Sequence, residues 1–209
     1  MATAPNSQAQ PPPPPPAFTL TFPPSLESYN RTARAWLTEN SKHWDGIVTG
    51  ALVFDSQNRV LLLQRAAHDS MPNLWETPGG ATDDEDASLF VACARELWEE
   101  AGLEAVEIVR AVTEGPDRPA GSVFTNRNGT RIYSRFSFEV KVKNENEVRI
   151  DPAEHQDYVW ATEEEVKAQR VGDKPIPITI GQMTRIILEG FRLRREEAVE
   201  GGREVVQGR

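Results

Sequence analysis

Residues 78–103 read PGGATDDEDASLFVACARELWEEAGL, and the reading of this stretch decides how the rest of the chain is understood. The apolar spacing predicts a helix over Asp84 to Ala101, stopped by Gly102, since glycine enters the left-handed conformation that closes a helix at little cost. With Glu96 set at zero and about 100° per residue, Glu99 falls about 60° to one side and Glu100 about 40° to the other. Three carboxylates therefore share one face, and Ala87, Val91, Ala94 and Trp98 are expected to form the buried side. Such acids repel one another by a few tenths of a kcal/mol per pair, roughly. A hard divalent cation turns that repulsion into ligation, because it takes several carboxylate oxygens. For the helix alone, a solvated acidic face explains the pattern as well.

Outward from the helix, Trp75 to Gly80 is a short extended segment broken by a Gly-Gly turn. Before it, Asp45 to Asp55 and Arg59 to Gln64 are β-rich runs joined by residues 56–58, a hairpin pattern. Ser28 to Glu39 has helical spacing, and Phe18 to Phe22 alternates like an edge strand. After the helix, Leu103 to Val112 reads as a strand and Thr113 to Gly129 as a loop. Arg131 to Val142 alternates as a half-buried strand does, and His155 to Ala161 gives the last strand. Glu163 to Gln169 starts a helix, and Ile178 to Glu197 is a longer one with Ile180, Met183, Ile187, Leu188 and Phe191 as its stripe. Strands interleaved with helices imply an α/β fold with a mixed sheet. One domain is expected over 18–199, with a disordered proline-rich tail at 1–17 and a flexible tail at 200–209. The six prolines Pro11 to Pro16 stay extended and suit an SH3- or WW-type partner, or simply a solvated tail.

The net charge of −9 argues against a nucleic-acid backbone as main partner, because that binding draws on clustered Lys and Arg. A nucleotide stays open, since a metal ion can reach its phosphates. The one cysteine, Cys93, has no intramolecular partner and reads as small filler in the helix. No apolar run approaches the ~20 residues of a membrane span, and no leader pattern is found. The expected compartment is the cytoplasm, with the nucleus left open.

Gly80 followed by Arg95-Glu96-Leu97-Trp98-Glu99-Glu100-Ala101-Gly102-Leu103 resembles the Nudix box, G-x5-E-x7-R-E-U-x-E-E-x-G-U with U aliphatic. The second half matches at every specified position. The first half departs: the interval from Gly80 to Arg95 is one residue longer, and Ala87 stands eight before Arg95, where a glutamate belongs. Asp86 and Glu85 lie beside it. The resemblance implies an α/β/α sandwich and hydrolysis of a nucleoside diphosphate linked to another moiety. It implies Glu96, Glu99 and Glu100 as ligands of Mg²⁺ (or Mn²⁺), the Gly80 carbonyl completing the site, and Arg95 holding a box glutamate. The ion would screen the phosphates and acidify the attacking water.

Outside the box, Glu154 is the first candidate for a general base, with Glu145 and Glu147 behind it, while His155 is discounted as a lone loop histidine. Arg65 is a candidate phosphate contact or a solvated strand end. Trp75 and Trp44 are candidates to stack on a base, or to pack. A homodimer through the long C-terminal helix stays open. Two other readings remain: a Nudix-fold module that binds nucleotide without cutting it, favoured by Ala87 and the tail, and an isoprenoid-diphosphate isomerase, which lacks a suitable cysteine.

Overall fold

The structure is a computed structural model that describes residues 13–207, with backbone alone for 200–207. Strand β6 (Ile132–Val142) is the axis of the first sheet. On one side it pairs in parallel with β1 (Gly46–Leu52); on the other it pairs antiparallel with β4 (Ala105–Val112) and β5 (Ser122–Thr125). A second sheet runs β3 (Trp75–Glu76), β2 (Val60–Arg65), β7 (His155–Ala161), all antiparallel. The hairpin expected at Asp55–Arg59 forms, with Asp55 Oδ1 accepting from the Gln57 and Arg59 amides. Its arms then part, β1 into one sheet and β2 into the other.

Strand β2 explains the layering. Its Val60-Leu61-Leu62-Leu63 run is wholly buried, because each face meets a different core. Leu61 and Leu63 join Ile47, Phe136, Phe138 and the helix α2 (Leu89–Ala101). Val60 and Leu62 join Trp75, Val166 of α3 (Glu163–Ala168), and Met183, Ile187 and Phe191 of α4 (Gly181–Gln207). Helices thus cover both faces of the strands, the expected α/β/α sandwich. At the N-terminus, a 3-10 turn (Pro24–Tyr29) precedes α1 (Ala33–Glu39), whose first turn is capped by Thr32. Phe18, Leu20 and Phe22 pack on the first core, and Thr21 alone bridges the edge of β4 at Glu107.

Helix α2 starts later than its sequence pattern suggests. Ser88 caps it by accepting the Val91 amide at 3.2 Å, and residues 83–88 form a turn in which Asp86 accepts the Asp83 amide. It ends at Gly102, φ 67°, as expected. The buried side runs through Leu89, Phe90, Cys93, Leu97 and Ala101, whereas Val91 and Trp98 are half-exposed and Ala87 is exposed. Of the expected buried side only Ala94 is fully buried; the rest of the core lies to one side of it, because a glycine loop covers the acidic face too, leaving the helix embedded on two flanks. Three further differences are local. The loop 113–129 contains β5; a small hairpin (β8, Arg170–Val171; β9, Lys174–Pro175) follows α3; and α4 runs past residue 200 to Gln207, propagating from turns that are docked.

Candidate active site

Arg95 organises the acidic face. Its Nε and Nη2 grip Asp86 at 3.0 and 2.9 Å, its Nη1 reaches Glu96 at 2.8 Å and Glu99 at 3.0 Å, and Nη2 also donates to the Ala81 carbonyl at 2.9 Å. All five guanidinium donors are used. Burial works against the charged guanidinium, but Asp86 and Glu96 outweigh it, and the net effect raises its pKa. Asp86 is itself buried. The departure at Ala87 is therefore answered one residue earlier: Asp86 supplies the carboxylate that grips the arginine. Arg95 engages Oε1 of Glu96 and Oε2 of Glu99, which leaves the other oxygen of each carboxylate to a cation.

The glycine pair brings the loop onto this face. Gly79 sits at φ 147°, and a Cβ there would meet the Thr49 carbonyl oxygen at 2.2 Å. Its amide donates to the Glu100 carboxylate at 2.7 Å. A Cβ on Gly80 would lie 2.4 Å from Glu96 Oε2, so any side chain there would push the Glu96 carboxylate out of this position. The Gly80 carbonyl accepts the Thr49 amide at 2.9 Å and keeps one lone pair for a ligand. Packing of this kind removes water. Desolvation, opposed by Arg95 and reinforced by Glu99 and Glu154, pushes Glu96 up to about 7. Burial also drives Glu100 well above the usual carboxylate range, against the Gly79 amide and with help from Glu76, Glu96 and Glu154. Both acids are poised for a positive charge.

The start of β7 closes the site. Asp151 donates its amide to the Glu100 carbonyl, and the turn that follows delivers Glu154 and His155 to the end of α2. One ligand atom each from Glu100, Glu154 and His155 lies within 4.8 Å of the other two. His155 is 1 % exposed, and neither ring nitrogen has a hydrogen-bond partner among the described residues. The nearest carboxylate, Glu76, is 3.6 Å from its Nε2. A buried imidazole left in this state costs about 1–3 kcal/mol per unmet group, and a divalent cation held by it and Glu100, beside Glu154, removes that cost. The residues present fit one.

Of the residues singled out from sequence, Glu154 thus joins Glu100, while Glu96 and Glu99 flank the group on Arg95. Glu145 accepts the Ser56 amide at the hairpin and Glu147 the Asn144 side chain, so neither is drawn to the acids. Arg65 pairs with Glu76 and Asp69 and lines a cleft of about 960 Å³. Trp75 is a correction: it is 0 % exposed in the second core and cannot stack on a ligand. Trp44 stacks instead on Trp36, with ring centroids 5.9 Å apart. Cys93 is buried and its thiol is pushed up to about 12 by that burial, which makes it inert filler. Sequence reasoning missed Asp86 as the arginine's partner, His155, Glu76 and Arg135. Arg135 lines the same cleft as Arg65, and its only side-chain hydrogen bonds among the described residues are long ones of 3.4 Å to Thr77. Burial lowers its pKa. Its position among the polar residues of alternating β6 was the one available signal.

A family model, the NUDIX domain, matches residues 44–179, a span that includes the glycine pair, α2, Arg135, Glu154 and His155. The chain belongs to the Nudix family. It is 26% identical over 127 residues to an RNA pyrophosphohydrolase of Bartonella quintana (strain Toulouse), covering 53% of this chain and 72% of that protein. Against the RNA pyrophosphohydrolase of Rhizobium meliloti (strain 1021) it is 34% identical over 73 residues, 32% of this chain and 41% of the other. Among solved structures, a MutT protein from Methanosarcina mazei Go1 superposes with a TM-score of 0.52 at 23% identity, covering 72% of this chain and 94% of that one. This Nudix hydrolase has the family's fold. No helix among its described residues is long and apolar enough to cross a membrane.

Proposed function

We propose that this Nudix hydrolase cuts the diphosphate linkage of a nucleoside diphosphate derivative in a reaction that depends on Mg²⁺. One observation carries the reading: the buried, partnerless His155 beside Glu100 and Glu154, on a face where Glu96 and Glu100 are forced toward their neutral forms unless a cation compensates them. Glu96, Glu99, Glu100 and the Gly80 carbonyl would hold metal along the acidic face, and His155 would complete the group at Glu100. When bound, the ion supplies charge neutralisation at the phosphates and a lower pKa for a coordinated water. Arg95 orients Glu96 and Glu99, with Asp86 bracing it from behind. Glu154 is exposed at the mouth of the site and takes the proton of the attacking water. Arg65 and Arg135 line the adjoining cleft with Arg127 and Arg185, where they would receive the charge of the diphosphate.

The acidic surface makes phosphates, rather than a long nucleic-acid backbone, the anions that such a cleft is built for. A binding module without catalysis drew its support from Ala87 and the tail, and the grip of Asp86 on Arg95 weakens the first of these. The test is a product analysis over sugar nucleotides, dinucleoside polyphosphates, oxidised nucleotides, dinucleotide cofactors and capped RNA ends, each with Mg²⁺, with Mn²⁺ and with chelator. Metal-dependent cleavage at a phosphoanhydride of at least one class is expected. Nucleotide binding without cleavage in every class defeats the proposal.

A further inference from the structure

The box pattern leaves the residue between Leu97 and Glu99 unspecified, and here it is Trp98, half-exposed on the outer flank of α2. Its indole Nε1–H donates to the carbonyl of Pro13 at 2.9 Å. The guanidinium of Arg149 lies 5.6 Å from the ring centroid. Arg149 is fixed in turn by its own amide, which donates to the Ala101 carbonyl at 2.8 Å. The indole is therefore a braced platform with its polar edge turned to the proline segment. Trp98 also lines a groove of about 870 Å³ with Gly102, Lys143, Val148 and Arg149.

Pro13, Pro14 and Pro15 are each followed by proline. Their φ is locked and their ψ confined to the extended region, so this stretch is polyproline II by covalent chemistry. Such a helix has no internal hydrogen bonds, and its carbonyls are unpaired acceptors. Aromatic surfaces that recognise polyproline exploit this pre-ordered form, and an indole N–H suits it because the ring is apolar and its edge is a donor. The chain path allows the contact. Phe22 is anchored on Phe90 of α2, ring centroids 4.9 Å apart. Trp98 lies eight residues further along the helix, about 12 Å. The nine residues back to Pro13 span up to roughly 28 Å if extended.

We propose that the proline segment is a ligand of its own hydrolase domain, with Trp98 and Arg149 forming a polyproline-reading surface that this segment occupies in cis. An SH3- or WW-type domain would have to compete with that surface for the tail. Tethering supplies an effective concentration on the order of millimolar, so a contact too weak to detect between separate molecules is populated within one.

The experiment is a ¹H–¹⁵N spectrum of the full chain, with the Trp98 indole signal identified by its loss in Trp98→Phe. In a chain lacking residues 2–16, that signal should move while the other four tryptophan indoles stay in place. A second chain of full length, with residues 11–16 replaced by alternating serine and glycine, should give the same shift without shortening the tail. A synthetic peptide of residues 5–20 at millimolar concentration should return the Trp98 signal toward its original position in the truncated chain. An unmoved Trp98 signal in both variants overturns the proposal. So does a full-chain signal that shifts on tenfold dilution, because the occupant is then the tail of a second copy.

Discussion

Replacing Asp86 by Asn leaves the side chain's shape and its bond to the Asp83 amide but strips the charge that grips Arg95 on two nitrogens at 3.0 and 2.9 Å. Removing one partner of a buried pair typically costs about 3–5 kcal/mol, since the other charge is left uncompensated. Here Arg95 retains Glu96 and Glu99, which places the expected loss lower, at about 2–3 kcal/mol. For a domain of this size 1 kcal/mol moves the melting temperature by about 2–4 °C, so the midpoint should fall by roughly 4–12 °C. The rate should fall as well, because the guanidinium that orients Glu96 and Glu99 loses its brace. Thermal unfolding of wild type, Asp86→Asn and the double variant Asp86→Asn/Ala87→Glu measures this directly. The double variant restores the glutamate of the box pattern, yet Ala87 is exposed, so no stability should return. A neutral Asp86→Asn, or full rescue by Ala87→Glu, would refute the claim that Asp86 does the work of the missing glutamate.

Phe191 is 1 % exposed and packs edge-on against Phe54, so Phe191→Ala should cost about 3–5 kcal/mol in a denaturant titration; a loss under 1 kcal/mol would detach α4 from the core. Without metal, stability should fall as pH rises from about 4.5 to 7: Glu96 holds its proton to about 7 when folded, whereas the unfolded chain releases it near the ordinary value of 4.5. That difference is worth about 3 kcal/mol at 1.36 kcal/mol per pH unit, and Glu100 acts in the same direction. Melting curves from pH 5 to 8 should therefore slope down in wild type, less in Glu96→Gln, and flatten when Mg²⁺ is added; equal slopes in wild type and Glu96→Gln would count against a compressed acidic face.

Much of this was legible because local chemistry carried it. Gly102 closes α2 through its left-handed φ, β7 spans His155 to Ala161 as its residues suggested, and Glu154 reaches the acids as its place beside that strand suggested. What escaped the sequence depends on neighbours distant in the chain. Asp86 stood beside the departure as a nearby carboxylate, yet its grip on Arg95 was not legible, because the helix begins after Ser88 and a turn, not a helical register, sets where the carboxylate points. Arg135 is one polar position among several on alternating β6, and only the second sheet and α4 make its face the wall of a cleft. His155 is ordinary as a lone histidine and telling only once buried without a partner. Trp75 shows the converse, an aromatic beside the glycine pair that the second core absorbs entirely.

The most direct test of the central claim is the rate at which Glu100→Gln hydrolyses the best substrate of the panel under saturating Mg²⁺, with a folded protein confirmed by its melting curve. Gln keeps the shape of the buried side chain and removes its charge from the group formed with Glu154 and His155. The account predicts a fold at least as stable without metal, since a desolvated carboxylate is gone, together with a rate lower by orders of magnitude and a weakened affinity for Mg²⁺. A variant that hydrolyses as fast as wild type, with unchanged metal affinity, would contradict it and leave the acidic face without a part in metal binding.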